Sequence, residues 1–566
     1  MNRDVKKLYA EWVEKAVLDP DIRAGLEAIR EDDSAIEEAF YRDLEFGTAG
    51  LRGVIAAGTN RMNVYTVGKA SQGFANYVLA HFPEGARRIA VSYDSRIKSD
   101  LFSKTAAGVF AANGIEVYIY RQLMPVPCLS YATRALSCAG GVMITASHNP
   151  SKYNGYKVYG PDGCQITTEA ADTILGEIEK LDMFSDVKFG DFDALMEAGL
   201  IRYVPEYVYD DFIAEVKKQS VLGPEDEIDK NVAIVYTPLN GSGLRPVTRV
   251  LSECGYSNIT LVEEQKDPDG NFPTCPYPNP EIREAMALGM EYAEKYQAEL
   301  LMATDPDADR MGIAVRDKDG KYVLITGNEN GLLLLDYICA MRTKNGTMPK
   351  DPVLVKSVVS TDMADVIAAH YGVRTINVLT GFKFIGEQIA KLEKEGHPES
   401  YIFGFEESYG YLSGTYVRDK DAVDAAFLIG EMFSYYKSRG ITILEKLNSL
   451  YEQYGFYKNT TLSFEYEGIA GQKKMADTIA FFRNGQKAFG DWTVEDCVDF
   501  KDGINGLPPA NILKFFLKDG ASIVVRPSGT EPKLKIYISV RGKDREDAAL
   551  QCANLVGTVK GIMSMI

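Results

Sequence analysis

Three regions of the chain repeat one order of hydrophobic and polar segments. In the first region, short apolar runs begin at Ile89, Ile115 and Val142. An amphipathic stretch lies between the first two runs and ends at Gly114. Short apolar runs between helices are typical of buried parallel strands, and a glycine directly after a periodic segment is a common helix stop. The pattern therefore predicts a βαβαβ layer.

The same order returns twice further along the chain. The apolar runs of the second and third copies begin near Val232, Ile259, Leu300, Val353, Val373 and Ile402. The corresponding helices stop at Gly255 and Gly372. We therefore predict three similar α/β domains with mixed, mostly parallel sheets.

The last part of the chain follows a different pattern. Residues 455–466, 523–525 and 534–540 predict separate strands, and residues 545–563 predict a helix, which together indicate an α+β domain. The predicted domains are 1–205, 206–326, 327–452 and 453–566, arranged around one central cleft.

Each third strand of the repeats runs directly into a polar loop. These loops are T-A-S-H-N-P at 145–150, T-D-P-D-A-D-R at 304–310 and G-F-E-E-S-Y-G at 404–410. A fourth loop, R-P-S-G-T-E-P at 526–532, lies in the C-terminal domain. Because ligands of parallel sheets bind beyond the carboxyl ends of the strands, we expect the first three loops to face one cleft.

The composition restricts the classes of function. The 566 residues are 46% hydrophobic and 25% charged, which excludes a disordered chain. The formal net charge of −18 argues against binding to nucleic acid or to an anionic membrane. Any anionic substrate must therefore meet a local cationic site.

The chain shows no targeting or membrane pattern. Its first twenty residues lack the apolar core of a signal peptide, and the most apolar run, residues 331–341, is interrupted by Asp336. The eight cysteines are widely spaced without a C-x-x-C, which predicts reduced, mostly buried thiols and neither a zinc site nor a disulfide framework. We expect a cytoplasmic protein.

Three carboxylates in the second loop indicate a metal site. Asp305, Asp307 and Asp309 alternate along a turning backbone, which allows them to converge on a hard divalent cation and leaves positions for a phosphate oxygen. Arg310 and Arg316 stand where a calcium-binding EF-hand loop needs glycine and glutamate, so calcium sensing is not indicated. The alternative is a solvated acidic turn.

The other loops contain groups suited to a sugar phosphate. Ser147 has no nucleophile elbow around it, but near a metal it could carry a phosphoryl group; the alternative is a turn serine. The loop that begins at Arg526 combines a guanidinium, hydroxyls and backbone amides, which suit a phosphate monoester; the alternative is a plain turn. Glu406 and Ser408 could accept and donate hydrogen bonds to sugar hydroxyls, or could lie on an exposed loop.

Seven motifs in order resemble the α-D-phosphohexomutase superfamily, which includes phosphoglucomutase, phosphomannomutase and phosphoacetylglucosamine mutase. The motifs are G-T-A-G-L-R-G (47–53), T-A-S-H-N-P (145–150), N-G-Y-K (154–157), D-P-D-A-D-R (305–310), T-G-F-K (380–383), E-E-S (406–408) and R-P-S-G-T-E-P (526–532). They span nearly the whole chain and look most like the bacterial α-phosphoglucomutase branch, which is related to animal phosphopentomutase.

The resemblance implies a role for each matched residue. Ser147 would be the phosphoserine, Lys157 the general base, and His148 and Arg52 further catalytic groups. Ser147, Asp305, Asp307 and Asp309 would bind Mg²⁺. The implied substrate-binding residues are Arg310, Thr380, Gly381, Lys383, Glu406, Ser408, Lys420, Arg526, Ser528, Gly529 and Thr530.

The resemblance also implies a reaction. It would interconvert glucose 1-phosphate and glucose 6-phosphate through a phosphoserine enzyme, with glucose 1,6-bisphosphate as activator and intermediate. The alternatives are phosphomannomutase or phosphopentomutase activity as the main role, a magnesium phosphatase, and a non-catalytic sugar-phosphate or calcium-binding protein. The expected partners are small sugar phosphates, with neither nucleic acid nor membrane, and the expected state is a monomer or homodimer.

Overall fold

A computed structural model of the chain describes residues 3–48, 50–466, 468–504, 506–527 and 533–566. These residues form four β-sheets with their helices. Short turns of 3₁₀ helix lie at Glu84–Ala86, Pro398–Ser400 and Lys518–Gly520.

The first sheet has six strands in the order β1-β5-β4-β2-β3-β6. The elements of this part of the chain are α1 Val5–Lys15, α2 Pro20–Ala28, α3 Asp33–Phe40, β1 Leu51–Val54, α4 Val64–His81, β2 Arg88–Tyr93, α5 Ser99–Ala112, β3 Glu116–Ile119, α6 Val126–Ala135, β4 Gly140–Ile144, β5 Tyr153–Tyr159, α7 Thr168–Glu179, α8 Phe192–Glu197 and β6 Ile201–Tyr203. Strands β4, β2, β3 and β6 are parallel, and β5 and β1 extend one edge antiparallel.

The second sheet has five strands in the order β11-β10-β9-β7-β8. Its elements are α9 Glu206–Lys217, β7 Ile234–Thr237, α10 Leu244–Glu253, β8 Ile259–Leu261, α11 Glu263–Lys266, α12 Arg283–Lys295, β9 Leu300–Thr304, β10 Met311–Arg316 and β11 Tyr322–Ile325. Strands β9, β7 and β8 are parallel, whereas β10 and β11 are antiparallel additions.

The third sheet has four strands in the order β13-β12-β14-β15. Its elements are α13 Gly327–Lys344, β12 Val353–Ser357, α14 Met363–His370, β13 Arg374–Val378, α15 Lys383–Lys394, β14 Tyr401–Glu406, β15 Gly410–Leu412, α16 Ala422–Lys437 and α17 Ile443–Tyr454. Only β15 is antiparallel to its neighbour within this sheet of described strands.

The fourth sheet is antiparallel in its described pairings and has the order β16-β21-β20-β19-β18-β17. Its elements are β16 Phe456–Glu465, α18 Gly468–Arg483, β17 Ala488–Phe489, β18 Trp492–Asp499, β19 Leu513–Leu517, β20 Ser522–Pro527, β21 Lys533–Gly542 and α19 Arg545–Met565. This α+β arrangement and the three α/β units confirm the predicted fold class. The predicted domain boundaries remain a prediction.

The third strand of each repeat is buried along its whole length, as continuous apolar runs require. The glycines predicted to stop the intervening helices have positive φ angles of 77° at Gly114, 94° at Gly255 and 69° at Gly372. Each helix ends two residues before its glycine. These glycines are therefore helix stops that other residues would adopt only with strain.

The buried apolar residues join the sheets. One continuous core connects the second and third sheets, and a smaller cluster connects Val358 and Leu379 beside the third sheet to Phe500, Val524 and Tyr537 of the fourth domain. These shared cores hold the loops at the strand ends in fixed relative positions.

Six of the eight cysteines are buried, in agreement with the prediction that most of them are, and all eight are free thiols. Among the described helices, none combines the length and the apolar content needed for a bilayer crossing.

Candidate active site

The loops that follow β4 and β9 meet in space. Ser147 Oγ donates a hydrogen bond to Asp305 Oδ2 at 2.7 Å, although 158 residues separate the two in the chain. The loop after β14 joins them, because the Met311 amide donates to the Tyr409 carbonyl at 3.0 Å. The expectation that the three polar loops face one site is therefore correct.

Ser147 adopts an unusual backbone conformation. Its φ of 51° lies in the left-handed region, and the residue is 3% exposed. The Ser147 amide donates to Thr145 Oγ1 at 2.8 Å, and Ser147 Oγ lies 3.1 Å from His148 Nδ1. A non-glycine residue in this region costs about 1–2 kcal/mol, so the surrounding contacts must stabilise it.

The three aspartates form a buried cluster. Asp305, Asp307 and Asp309 each offer a carboxylate oxygen, and these atoms all lie within 4.8 Å of one another. Asp305 Oδ1 also accepts hydrogen bonds from the amides of Asp309 and Arg310 at 3.1 and 3.0 Å, which fixes the turn. Burial, together with the charges of Asp307 and Asp309, raises the pKa of Asp305 well above its ordinary value.

This cluster has the donor set of a metal site. The Oδ1 atoms of Asp307 and Asp309 are buried and have no hydrogen-bond partner within the part of the chain that the structure describes. Unpaired buried oxygens are costly, and a hard cation with oxygen ligands satisfies them. The triad could therefore hold a metal ion, with Ser147 Oγ at its edge.

Two lysines contact the triad, one on β5 and one in the segment between β15 and α16. Lys157 Nζ on β5 lies 2.8 Å from Asp307 Oδ2 and 3.3 Å from Asp309 Oδ2. Lys420 Nζ lies 3.3 Å from Asp309 Oδ2 and 3.2 Å from Asp419 Oδ1. Burial alone would lower the pKa of Lys157, but Asp307 and Asp309 outweigh it and raise that pKa. Both amines are therefore held as cations in this arrangement.

Arginines surround His148. Burial lowers the pKa of His148 well below its usual value, and the charges of Arg310 and Arg52 lower it further. The imidazole beside Ser147 is therefore neutral. Arg310 Nη1 pairs with Glu281 Oε1 at 2.5 Å, and Arg52 Nη1 donates to Asn149 Oδ1 at 3.5 Å.

The loop after β14 lies against the segment after β13. Glu406 is 5% exposed, and its Oε1 accepts a hydrogen bond from the Gly381 amide at 2.7 Å. Thr380 Oγ1 is buried with no hydrogen-bond partner among the described residues. Ser408 is half-buried in the turn between β14 and β15. Burial raises the pKa of Glu406, and Lys420 opposes that shift.

Two further predicted residues, Lys383 and Arg526, lie on α15 and β20. Lys383 is half-buried at the first position of α15, with its Nζ 4.8 Å from the centre of the Phe384 ring, and burial lowers its pKa. Arg526 lies half-buried on β20. Burial raises the pKa of Glu407 to about 7, Glu406 adds to the shift, and Arg526 opposes it, so Arg526 lies within electrostatic reach of the E-E-S loop. The predicted phosphate contacts Ser528, Gly529 and Thr530 lie outside the described residues.

The structure adds residues that the sequence analysis did not single out. Arg96 and Asp94 are buried beneath the Ser147 loop, and Tyr159 donates to Asp419 Oδ2 at 2.9 Å behind Lys420. Asp94 and Arg96 follow the carboxyl end of β2 directly. The rule that selected the loops after the third strands, applied to the first strand, would have found this pair.

The site brings together the groups that phosphoryl transfer requires. A buried hydroxyl, a metal-ready carboxylate cluster and several cations occupy one region where water is largely excluded. Fixed charges in such a region stabilise charge that develops during phosphoryl transfer. The arrangement is therefore suited to transfer a phosphoryl group to or from Ser147.

Four domain descriptions of one family match the chain in order. They are Phosphoglucomutase/phosphomannomutase, alpha/beta/alpha domain I over residues 43–184, domain II over 210–320, domain III over 326–454 and the C-terminal domain over 474–555.

Curated relatives and solved structures agree with this match. The phosphoglucomutase of Staphylococcus saprophyticus is 37% identical over 529 residues, covering 91% of this chain and 94% of the relative. The phosphoglucomutase of Staphylococcus aureus strain MSSA476 is 35% identical over 536 residues, covering 92% and 94%. A putative phosphomannomutase from Thermus thermophilus has a TM-score of 0.68 at 20% identity, covering 91% of this chain and 99% of the other. The phosphoprotein parafusin, a phosphoglucomutase from Paramecium in its open form, has a TM-score of 0.68 at 18% identity, covering 92% and 96%.

Proposed function

Because the chain belongs to the phosphoglucomutase/phosphomannomutase family, we propose that it is a phosphoglucomutase, an isomerase that interconverts glucose 1-phosphate and glucose 6-phosphate. The observation that carries the proposal is the contact of Ser147 Oγ with Asp305 inside the buried triad. The curated relatives at 35–37% identity are named phosphoglucomutase, so a main role on mannose or pentose phosphates is not favoured.

The phosphoryl group resides on Ser147 in the proposed resting enzyme. A free hydroxyl of the hexose monophosphate attacks the phosphorus, a new phosphorus–oxygen bond forms to the sugar, and the bond to Ser147 Oγ breaks. With a metal ion on the triad to take up the charge of Asp307 and Asp309 that raises the Lys157 pKa, Lys157 could lose its proton and act as a neutral amine. The neutral amine then accepts one proton from the attacking hydroxyl, and Ser147 Oγ takes up one proton in exchange. The product is glucose 1,6-bisphosphate, which turns end for end and returns its other phosphoryl group to Ser147 by the reverse step.

We propose Mg²⁺ as the ion of the Asp305, Asp307 and Asp309 site, because the donors are hard oxygens. When bound, this ion would balance the negative charge of the transferring phosphoryl group. Lys157 lies beside the same carboxylates and serves as the proposed proton carrier in both directions.

The other residues hold the substrate in the proposed complex. Arg526, with the turn that follows it, anchors the phosphate that is not reacting, so the same contact serves both orientations. Glu406 and its neighbours contact the sugar hydroxyls. The proposed remaining contacts, implied by the family resemblance, are His148 and Arg52 beside the reacting phosphoryl group, and Arg310, Thr380, Gly381, Lys383, Ser408, Lys420, Ser528, Gly529 and Thr530 around the substrate.

A coupled assay tests the proposal. Purified protein is given glucose 1-phosphate, mannose 1-phosphate or ribose 1-phosphate with Mg²⁺, with and without catalytic glucose 1,6-bisphosphate. We expect the fastest isomerisation with glucose 1-phosphate, stimulated by the bisphosphate and without net release of phosphate. Release of inorganic phosphate as the main product would instead support a phosphatase, and binding without turnover would support a non-catalytic protein. The cytoplasmic location, the monomeric or homodimeric state and the domain boundaries stay predictions.

A further inference from the structure

The side chain of the buried Arg96 donates all its hydrogen bonds to backbone carbonyls in and beside the Ser147 loop. Arg96 Nε donates to the Ser147 carbonyl at 3.2 Å, and Nη2 donates to the carbonyls of Ser147 and Asn149. Its Nη1 donates to the carbonyls of Pro150 and Tyr153, each at 3.0 Å. These contacts use all five N–H donors of a guanidinium, so Arg96 is built into the loop and has no donor left for a substrate.

Asp94 connects Arg96 to the other side of Ser147. Asp94 Oδ1 accepts from the Arg96 amide at 3.0 Å, and Oδ2 lies 3.6 Å from Arg96 Nε. Asp94 Oδ2 also accepts from Thr145 Oγ1 at 2.6 Å, and Thr145 Oγ1 in turn accepts from the Ser147 amide at 2.8 Å. The amide and the carbonyl of Ser147 are therefore both held, one through Thr145 and one through Arg96.

Residues of the second domain pack against Arg96 and the segment that follows it. The Phe272 ring lies 5.1 Å from Arg96 Cζ, and Phe272 is 1% exposed. A Cβ atom at Gly270 would approach the Ile97 amide nitrogen to 2.4 Å, so the two segments are in direct contact. Arg96 therefore lies between the Ser147 loop and the domain that supplies the aspartate triad.

We propose that Asp94 and Arg96 are positioning residues that hold Ser147 in its left-handed conformation and so aim its Oγ at the metal site. The φ of 51° at Ser147 has a cost that a guanidinium fork offsets through charge-assisted hydrogen bonds. Neither side chain touches the reacting atoms. This inference rests on the proposed phosphoserine role of Ser147.

Lysine cannot replace arginine in this position. A lysine ammonium has three donors at one point, whereas the carbonyl oxygens around Arg96 are reached by a planar fork of five donors. Arg96→Lys keeps the positive charge but releases part of the loop, so it separates positioning from simple electrostatics.

The experiment compares Arg96→Lys with Arg418→Lys. Arg418 is a matched control, because the side chains of both arginines are 0% exposed and Arg418 also donates to backbone carbonyls, those of Thr415 and Val417. Thermal unfolding first establishes that each variant is folded. The measured quantities are kcat and KM for glucose 1-phosphate, and the single-turnover rate at which glucose 1,6-bisphosphate phosphorylates Ser147.

We expect Arg96→Lys to lower kcat and the phosphorylation rate about 100-fold, as a misplacement of the nucleophile by about 1 Å does. KM should stay within about twofold, because Arg96 makes no substrate contact. Arg418→Lys should keep kcat within about threefold of the wild type. A folded Arg96→Lys protein with nearly wild-type kcat and phosphorylation rate would overturn the proposal, and so would a loss confined to KM.

A second variant covers the case in which Arg96→Lys does not fold. Asp94→Asn keeps the shape of the side chain but removes the carboxylate that accepts from Thr145 and pairs with Arg96. It should lower kcat with KM unchanged, and wild-type kcat in this variant contradicts the inference. Failure of the proposed function is a separate result, since the wild-type protein would then lack isomerase activity and phosphoserine.

Discussion

The removal of the Ser147 hydroxyl is the most direct test of the proposed chemistry. In Ser147→Ala the loop keeps its Cβ, its backbone contacts to Thr145 and Arg96, and its left-handed φ. The substitution removes the hydrogen bond from Ser147 Oγ to Asp305 Oδ2 at 2.7 Å and the contact of Ser147 Oγ with His148 Nδ1 at 3.1 Å. The substitution therefore removes the nucleophile with a small structural change.

The expected stability change follows mainly from the bond to the Asp305 carboxylate. Hydrogen bonds to charged groups contribute about 1.5–3 kcal/mol, and Asp305 keeps two backbone amide donors on its other oxygen. We expect a loss near the lower end, about 1.5 kcal/mol, which lowers the melting temperature by a few degrees. Activity should fall at least about 10⁴-fold, because the loss of a nucleophile removes the covalent step itself.

The assays separate these two effects. The coupled assay measures turnover of glucose 1-phosphate, intact mass counts the phosphoryl groups on the protein, and thermal unfolding measures stability. Ser103→Ala is a suitable control, because Ser103 is equally buried and its Oγ donates to the Asp100 carbonyl at 2.8 Å away from the site. The reasoning is refuted if Ser147→Ala retains a tenth of wild-type turnover, or if it still carries a phosphoryl group after treatment with glucose 1,6-bisphosphate.

Three further predictions concern the metal site, the substrate loops and the pH dependence of stability. Asp307→Asn should weaken Mg²⁺ binding and lower kcat, because a charged ligand becomes neutral; full activity of the wild type in excess chelator would contradict the metal site. Arg526→Ala should raise KM and lower kcat for both glucose and mannose phosphates, whereas Glu406→Ala should mainly change the ratio between them; the reverse pattern would exchange the two assignments. Burial, followed by repulsion from Asp421, raises the pKa of Asp424 to about 8, so the folded state holds a proton that the unfolded state releases above about pH 4. The stability that this group contributes is therefore lost as the pH rises towards 8. Asp424→Asn should make the melting temperature less dependent on pH between 4 and 8. If the melting temperature of the variant changes with pH as steeply as that of the wild type, Asp424 does not titrate in this range.

The sequence alone determined the features that depend on local spacing. Buried parallel strands, their glycine helix stops and the polar loops after β4, β9 and β14 could all be read from short segments, because periodicity and left-handed glycines are properties of a few consecutive residues. The alternation of Asp305, Asp307 and Asp309 predicted their convergence for the same reason.

Strands β5 and β18, each one position in from a sheet edge, were not predicted, because their patterns depend on their neighbours. The N-G pair in Tyr153–Tyr159 lies within a strand, where a Cβ on Gly155 would approach the carbonyl oxygens of Thr145 and Leu51 to 2.5 and 2.8 Å. In Trp492–Asp499, Glu495 and Asp496 interrupt the apolar residues of a mostly exposed strand, so no continuous apolar run marks it. Only the adjacent strands explain either segment.

The tertiary structure alone decided which side chains meet at the site. Lys157 contacts Asp307 across 150 residues of sequence, and it does so because β5 pairs antiparallel with β4 and the second sheet packs beside them. Arg96 reaches the Ser147 carbonyl across 51 residues in the same way. A local pattern contains no information on such distances, since they are set by the packing of buried sheets and by the cost of leaving a charge or a carbonyl unpaired inside them.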